Sequence, residues 1–180
     1  METWVRREQR YEGKIISLWV GEARLDDGTV VGREMVRHPG GVAIVPVLDG
    51  AVILIRQFRI AVGREILELP AGRLEEGEDP ESSARRELEE EIGYRAGQMV
   101  PAASYYSSVG FTDERMHLFL AFQLQRTAAK PEPDERIQQV RLPLGEIERM
   151  LDGAEFEDSK TIIGLRELLA YLAPDPIQQR

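Results

Sequence analysis

Residues 72–94, GRLEEGEDPESSARRELEEEIGY, constrain the fold more than any other part of the sequence. Asp79 is a residue type preferred at a helix N-cap, and Pro80 is favoured at the first helical position. Gly93 is a residue type that commonly ends a helix, because glycine adopts the left-handed backbone conformation at little cost. The stretch therefore predicts a loop followed by a helix that begins at Pro80 and ends just before Gly93.

Three glutamates lie on one side of this predicted helix. Glu87, Glu90 and Glu91 are spaced i, i+3 and i+4, so their carboxylates project from the same face. Like charges at these spacings destabilise a helix by about 0.2–0.5 kcal/mol per pair, so the repulsion must be offset. Charge alone leaves two explanations open. The face is either solvated and exposed, or it binds a hard divalent cation, which takes several oxygen ligands at about 2.0–2.6 Å.

The residues around the glutamates favour the metal-binding explanation. They form a spaced pattern of glycine, glutamate, arginine and bulky apolar residues, at Gly72, Glu78, Arg86, Glu87, Leu88, Glu90, Glu91, Gly93 and Tyr94. This pattern resembles the signature of the Nudix hydrolases, with Tyr94 as a mild departure at the last apolar position. The resemblance implies a metal-dependent hydrolase, with Mg²⁺ as the expected ion and Mn²⁺ as the alternative.

The resemblance also implies roles for individual residues of the signature. Glu87, Glu90 and Glu91 are expected to bind the metal ion, together with the backbone carbonyl of Ala71. Arg86 is expected to orient these glutamates through charge-assisted hydrogen bonds. Glu91 and Arg86 are therefore counted among the expected catalytic residues.

Four further segments resemble one subfamily of these hydrolases, the ADP-ribose pyrophosphatases. They are residues 56–59, 67–72, 110–114 and 159–161. The resemblance implies hydrolysis of the pyrophosphate bond in ADP-ribose or a related nucleoside diphosphate sugar, which gives a nucleoside monophosphate and a sugar phosphate. Val109 stands where the subfamily carries a proline, so another nucleoside diphosphate sugar is an open alternative to ADP-ribose.

Four residues outside the signature are expected to contact the substrate. Arg56, at a strand end, can hold a phosphate through two parallel hydrogen bonds, and the alternative is an ordinary surface charge. Arg33 and Glu34 end an N-terminal hairpin, and the resemblance implies that they contact the base or the terminal ribose across a dimer. From residue type alone, Arg33 and Glu34 would be interpreted as an ordinary exposed pair of charges without a role in substrate binding. Phe111 can stack on a base, although aromatic residues at strand spacing more often belong to a core.

A general base is expected in the acidic loop that follows the signature. By resemblance this role belongs to a glutamate before the next strand, with Glu135 as the first candidate and Glu132 as the second. Such a residue must come within one hydrogen bond of the attacking water. The alternative is that both are solvated residues of an acidic turn.

The pattern of strands and helices indicates the fold class. Mixed strands with helices on both sides predict an α/β/α sandwich, and the resemblance implies the Nudix form of this fold. Residues 1–38 are predicted to form an N-terminal antiparallel β unit around a hairpin turn at Asp27 and Gly28. The resemblance implies that this unit is exchanged between the subunits of a homodimer, with residues 39–180 as the Nudix hydrolase domain.

Composition limits the classes of partner. A net charge of −9 over 180 residues disfavours nucleic acids and anionic membrane surfaces as partners. The absence of cysteine excludes disulfides and thiol catalysis, and it fits a reducing cytoplasm. No apolar run is long enough for a membrane span. These features fit a cytoplasmic protein, and the resemblance implies that its partner is a small-molecule nucleoside diphosphate sugar.

Two other functions remain open. One is a Nudix-fold module that binds a nucleotide without cleaving it, and the other is a Nudix pyrophosphatase that acts on nucleoside triphosphates. Loss of a signature glutamate would mark the binding module, but Glu87, Glu90 and Glu91 are all present. The N-terminal unit and residues 67–72 favour a diphosphate sugar over a triphosphate.

Overall fold

The computed structural model describes residues 1–129 and 136–173. In chain order the elements are β1 (Glu2–Glu12), β2 (Ser17–Leu25), β3 (Val30–Arg37), β4 (Gly41–Leu48), β5 (Ala51–Arg59), β6 (Arg64–Glu68), β7 (Ala71–Arg73), α1 (Pro80–Ile92), β8 (Tyr94–Tyr106), β9 (Arg115–Arg126), β10 (Gln138–Pro143), α2 (Leu144–Asp152) and α3 (Ser159–Leu172). The chain divides into two compact units. The first comprises Met1–Gly41 and Tyr105–Met116, and the second comprises Val42–Ser104 and His117–Arg180.

The first unit is built on a three-stranded antiparallel sheet in the order β1-β2-β3. At the turn between β2 and β3, Gly28 has a left-handed backbone with φ 90°, and the side chain of Asp27 accepts a backbone hydrogen bond at 2.8 Å. The hairpin predicted at these two residues is therefore present. Residues 105–116 join this unit through β3, where Val36 exchanges backbone hydrogen bonds with Phe111 and Asp113.

The larger sheet is mixed and has seven strands. Its main path runs β10-β5-β4-β9-β8, while β6 pairs with β5 and β7 pairs with β4. The hairpin of β4 and β5 turns at Asp49 and Gly50, which have φ values of 48° and 72°. Because β6 and β7 pair with β5 and β4, the segment that leads into α1 lies beside the middle of the sheet.

Helices cover both faces of this sheet. On one face, Leu88 of α1 and Ile44 of β4 belong to the same buried apolar cluster. On the other face, α3 packs so closely that a Cβ on Gly164 would lie 3.0 Å from Cγ2 of Val45. Ile44 and Val45 are neighbours on β4, so their side chains point to opposite faces. The predicted α/β/α class is therefore confirmed.

Helix α1 begins and ends where its capping residues predict. Asp79 is the N-cap, and its side chain accepts a hydrogen bond from the backbone N–H of Ser82 at 3.0 Å. Gly93 ends the helix with φ 72°, and its N–H donates to the carbonyls of Leu88 and Glu89. Signals that are local in the sequence thus determine the helix that carries the three glutamates.

A side-chain cap also fixes the start of the last helix. Helix α3 has Asp158 as its N-cap, whose side chain accepts from the backbone N–H of Thr161 at 3.0 Å. None of the helices in the described part of the chain is long and apolar enough to cross a membrane.

Candidate active site

Arg86 lies at the centre of the carboxylates on α1. Its Nη1 donates to Oε1 of Glu87 at 2.7 Å and to Oε2 of Glu90 at 3.1 Å. Its Nε and Nη2 donate to the two carboxylate oxygens of Glu78, each at 3.0 Å, in a bidentate pair. One guanidinium thus holds three carboxylates, two from the helix and one from the loop before it. This is the geometry expected of an orienting arginine.

The pair of Arg86 and Glu78 shifts the pKa values of both residues. Hydrogen bonds from Arg86 lower the pKa of Glu78 from 4.5 to about 2, against an opposing effect of burial. The pKa of Arg86 is raised, first by its hydrogen bond to Glu78 and further by the carboxylates of Glu87 and Glu90. Glu78 therefore stays ionised well into the acidic range and keeps Arg86 in place beside the helix.

Glu87 packs directly against the backbone of the loop before α1. A Cβ on Gly72 would lie 1.9 Å from Cδ and 2.0 Å from Oε1 of Glu87. The Glu87 side chain is 12% exposed. Glycine at position 72 is thus needed to leave room for this carboxylate, which gives a physical reason for the glycine that begins the signature.

Glu91 is the most deeply buried of the three glutamates. It is 3% exposed, and its Oε2 accepts a hydrogen bond from the backbone N–H of Ala71 at 3.0 Å. The preceding residue, Pro70, is held in turn because its carbonyl accepts from the N–H of Ile44 at 2.9 Å. Glu91 and Ala71, which the sequence predicts as ligands from two separate segments, are therefore neighbours.

The donor set fits a hard divalent cation, although the side chains are not gathered around one point. Carboxylate and carbonyl oxygens are the ligands that Mg²⁺ and Mn²⁺ prefer. Within residues 1–129 and 136–173, no group of three acidic, histidine or cysteine side chains is placed to hold a metal ion. Arg86 contacts one carboxylate oxygen of Glu87 and one of Glu90, and a carboxylate has a second oxygen that can act as a ligand. The role of these two glutamates as metal ligands stays a prediction.

Three of the four predicted substrate residues meet in the first unit. Arg33, Glu34 and Phe111 line one cleft of about 230 Å³, together with Trp4 and Val109. Phe111 is 55% exposed, so its ring is not part of a core. Val109, which departs from the subfamily pattern, is exposed as well. The contacts with substrate remain predictions for all three residues.

Charged groups are fixed within this cleft. Nη2 and Nε of Arg33 donate to Oε2 of Glu2 at 2.7 and 3.1 Å. The carboxylates of Glu34 and Asp113 belong to the same lining. The cleft thus combines an accessible aromatic ring, a held guanidinium and carboxylates, which are groups that can stack on a base and hydrogen-bond to its edge or to ribose hydroxyls.

Arg59 is an arginine of β5 whose direct partner is Glu68 at the end of β6. Its Nε and Nη2 donate to the carboxylate oxygens of Glu68 at 2.7 and 3.1 Å. The pKa of Arg59 is raised, first by this hydrogen bonding to Glu68 and also by the carboxylates of Glu91 and Asp158. Sequence reasoning missed this residue and chose Arg56 instead.

The structure, unlike the sequence, separates the two arginines. Side chains alternate along a strand, so Arg59 falls on the face of Ile53 and Ile55, and Arg56 falls on the opposite face. Ile53 and Ile55 belong to the buried cluster that packs against α1. Counting from these two residues therefore selects Arg59 for the side of the sheet that carries the glutamates. The phosphate contact of Arg56 stays a prediction.

Both candidate general bases lie outside the described residues. Glu132 and Glu135 belong to residues 130–135. The preceding strand, β9, ends at Arg126, and the next strand, β10, begins at Gln138. The two glutamates thus lie on the connection between β9 and β10, and their role stays a prediction.

Relatives of known identity match almost the whole chain. The NUDIX domain matches residues 37–163. The ADP-ribose pyrophosphatase of Bacillus subtilis (strain 168) is 40% identical over 170 residues, which cover 93% of this chain and 92% of that protein. The methanol dehydrogenase activator of Bacillus methanolicus is 38% identical over 170 residues, with the same coverage of both proteins.

A solved structure supports the fold independently. The crystal structure of an ADP compounds hydrolase superposes with a TM-score of 0.85 and covers 95% of this chain and 94% of that chain, at 22% identity. At this identity the likeness concerns the fold alone. The domain match and the 40% identical relative carry the family relationship. The chain therefore belongs to the Nudix family of hydrolases, as the signature in residues 72–94 predicts.

Proposed function

We propose that this enzyme hydrolyses the pyrophosphate bond of ADP-ribose or a related nucleoside diphosphate sugar and releases a nucleoside monophosphate and a sugar phosphate. The observation that carries the proposal is the array in which Arg86 holds Glu87 and Glu90 on the helix that also bears Glu91. The Bacillus subtilis relative, an ADP-ribose pyrophosphatase, supports the substrate class.

The glutamates of α1 are the proposed metal site. Nudix hydrolases generally need divalent metal ions, and Mg²⁺ is the proposed ion here, with Mn²⁺ as the alternative. Glu87, Glu90, Glu91 and the carbonyl of Ala71 would hold it. When bound, the ion neutralises charge on the pyrophosphate and lowers the pKa of a bound water. Arg86 orients Glu87 and Glu90 through its hydrogen bonds.

The arginines of β5 are proposed to bind the phosphates of the substrate. Arg59 uses Nε and Nη2 on Glu68, and its Nη1 has no hydrogen-bond partner among the described residues. This nitrogen is available to a phosphate oxygen, and the fixed partner reduces the entropy lost when it binds. Arg56 is the second candidate for a phosphate contact.

Glu135 is the proposed general base, with Glu132 as the alternative. A carboxylate in this position accepts a proton from the attacking water, provided that it comes within one hydrogen bond of it. The connection between β9 and β10 is the segment that would have to place it there.

The cleft of the first unit is proposed to bind the part of the substrate that does not react. Phe111 would stack on the base, and Arg33 and Glu34 would hydrogen-bond to the base or to ribose hydroxyls. We place the protein in the cytoplasm as a homodimer that exchanges the unit formed by residues 1–38. Size-exclusion chromatography with light scattering tests the dimer, and a monomer at micromolar concentration would refute it.

Product release from a substrate panel tests the reaction. The panel contains ADP-ribose, ADP-glucose, GDP-mannose and nucleoside triphosphates, each with Mg²⁺ and with a chelator. Equal amounts of AMP and ribose 5-phosphate from ADP-ribose, lost with the chelator, are expected. Glu91→Gln should remove most of this turnover. Glu89→Gln is the matched control on the same helix, because Glu89 pairs with Arg95 instead.

Other results of the same panel would favour other functions. Preference for a different diphosphate sugar would make the segment at Val109 the first place to look for specificity. Preference for nucleoside triphosphates would overturn the substrate class. Binding without cleavage of any compound would support the non-catalytic nucleotide-binding module.

A further inference from the structure

Glu68 is a buried carboxylate at the end of β6, and it is 2% exposed. Two cations share it. Arg59 donates to both of its oxygens at 2.7 and 3.1 Å, and Nζ of Lys160 donates to Oε2. Lys160 also donates to Oδ1 of Asp158 at 2.8 Å. The four residues thus form one compact network of two positive and two negative charges.

The start of α3 holds this network in place. Asp158 caps α3, and its Oδ2 accepts from the backbone N–H and the hydroxyl of Thr161 at 3.0 and 2.5 Å. Thr161 is fully buried, and its Oγ1 accepts from the backbone N–H of Leu69 at 2.9 Å. The side chain of Glu68 and the peptide that follows it are therefore both tied to α3.

Stability alone is a weak reason for such a network. Taking charges out of water is costly, and a buried ion pair is often no more stabilising than apolar side chains of the same volume. Glu68 experiences both the cost of burial and the attraction of its two cationic partners. Burial raises its pKa, but the hydrogen bonds and charges of Arg59 and Lys160 outweigh burial and hold the pKa below its usual value. Glu68 therefore remains a charged partner for Arg59 at neutral pH.

Arg59 has a second carboxylate within electrostatic range. Arg59 falls on the same face of β5 as Ile55, which packs in one buried cluster with Leu88 of α1, the helix that carries Glu91. The charge of Glu91 also contributes to the raised pKa of Arg59. Oε2 of Glu91 already accepts a hydrogen bond from the N–H of Ala71, so a guanidinium that moved onto Glu91 would add a positive charge where the proposed metal ion has to bind. The position of Arg59 therefore bears on whether Glu91 is available as a ligand.

From these contacts we infer that Glu68 is a positioning residue, which holds Arg59 away from Glu91 so that Glu91 can bind a divalent cation and Arg59 can bind the substrate pyrophosphate. Lys160 of α3 holds Glu68 in place through its hydrogen bond to Oε2. The pyrophosphate contact rests on the proposed function. The effect on Glu91 concerns metal binding and does not depend on the substrate.

The test is the affinity of the Glu68→Gln protein for Mn²⁺ without substrate, followed by electron paramagnetic resonance of the free ion. Glutamine has nearly the same size and shape as glutamate, but it carries no charge, so its interaction with Arg59 is weaker. We expect Mn²⁺ affinity to fall about 10- to 100-fold, as it does when groups that support metal ligands are changed. Glu157→Gln is the matched control, because it removes the same charge from the exposed pair with Arg64 at the other end of β6. Little change is expected there.

A double variant separates positioning from structural damage. If Glu68 acts by restraining Arg59, then Glu68→Gln combined with Arg59→Met should recover most of the Mn²⁺ affinity. Damage to the fold would not be repaired by a second substitution. Lys160→Arg keeps the cation and should stay close to wild type. If Glu68→Gln does not fold, Lys160→Met weakens the same network, and its loss of Mn²⁺ affinity should also be reversed by Arg59→Met.

Two results would overturn the inference. One is Mn²⁺ affinity in Glu68→Gln equal to that of Glu157→Gln. The other is a loss of affinity that Arg59→Met does not reverse. Because Mn²⁺ binding requires no substrate, these results can be read even if the enzyme cleaves no nucleoside diphosphate sugar, which would refute the proposed function separately.

Discussion

Gly72 and Glu87 are in direct contact across the start of the Nudix signature. A Cβ at position 72 would lie 1.9 Å from Cδ of Glu87. Gly72 does not have a positive φ, so its backbone conformation would accept other residues. The need for glycine therefore comes from the carboxylate of Glu87. The contact makes the loop before α1 and the helix a single structural support for the proposed metal site.

Gly72→Ala is expected to lower Mn²⁺ affinity and turnover while the fold is retained. The new methyl group must displace the Glu87 carboxylate, and a loss of about 10- to 100-fold is typical when a metal ligand loses its support. Gly145→Ala is the matched control, since a Cβ at that position meets nothing within 4 Å. Steady-state kinetics and Mn²⁺ titration measure both variants. Equal values for the two would show that the position of Glu87 does not matter.

The pair of Glu78 and Arg86 should make the protein less stable in acid. Hydrogen bonds from Arg86 lower the pKa of Glu78 to about 2 in the folded state, and an unfolded glutamate titrates near 4.3. A lowered folded-state pKa means that the contribution is complete above about pH 5 and is lost as the pH falls towards 2. The full shift corresponds to about 3 kcal/mol, and partial exposure reduces it to about 1–2 kcal/mol.

Urea unfolding of wild type and Glu78→Gln measures this contribution. At pH 7 the variant should have the lower free energy of unfolding, and by pH 3 the difference should shrink to roughly half. Glu81→Gln is the control, because Glu81 and its partner Arg85 are each 43% exposed and such pairs contribute little. A difference that stays constant with pH would contradict the lowered pKa of Glu78.

Features that depend on neighbours along the chain were predictable from the sequence. Asp79 and Gly93 act within a few residues of the helix they cap, so their residue types alone placed α1. The three glutamates share a face because helix geometry repeats every 3.6 residues. Arg86 reaches Glu87 and Glu90 within about one turn of the same helix, so the centre of the candidate site was also predictable.

Features that depend on distant partners were not predictable in this way. Lys160 and Glu68 are 92 residues apart, and either could have paired with many other charges in a chain this rich in them. Phe111 joins β3 through the backbone of Val36, a contact that no side-chain pattern encodes. Arg59 was missed because the choice between it and Arg56 depends on which face of β5 meets α1.

Glu135→Gln is expected to lower kcat by about 10²- to 10⁴-fold, the usual contribution of a general base, with a smaller effect on KM. Glu132→Gln is the matched comparison in the same segment. If Glu132 carries the role instead, the two effects should be exchanged. Steady-state kinetics with ADP-ribose decide between them. An effect on KM alone would show that neither residue acts as the base.

Arg33 should affect substrate binding more than the chemical step. It lies in the cleft proposed for the part of the substrate that does not react, so its contacts stabilise the bound substrate and the transition state alike. Arg33→Met is therefore expected to raise KM about 10- to 100-fold, because a hydrogen bond from a charged group contributes about 1.5–3 kcal/mol. The value of kcat should change little.

Two variants make the measurement on Arg33 specific. Arg24→Met is the control, because Arg24 lies in β2 of the same sheet and outside the cleft lining. Glu2→Gln should also raise KM, but less than Arg33→Met does, since Glu2 accepts hydrogen bonds from Nε and Nη2 of Arg33. A fall in kcat at constant KM would place Arg33 at the reacting phosphates. Unchanged kinetics in both variants would remove the cleft from the substrate site, and recognition of the base would then have to come from other residues.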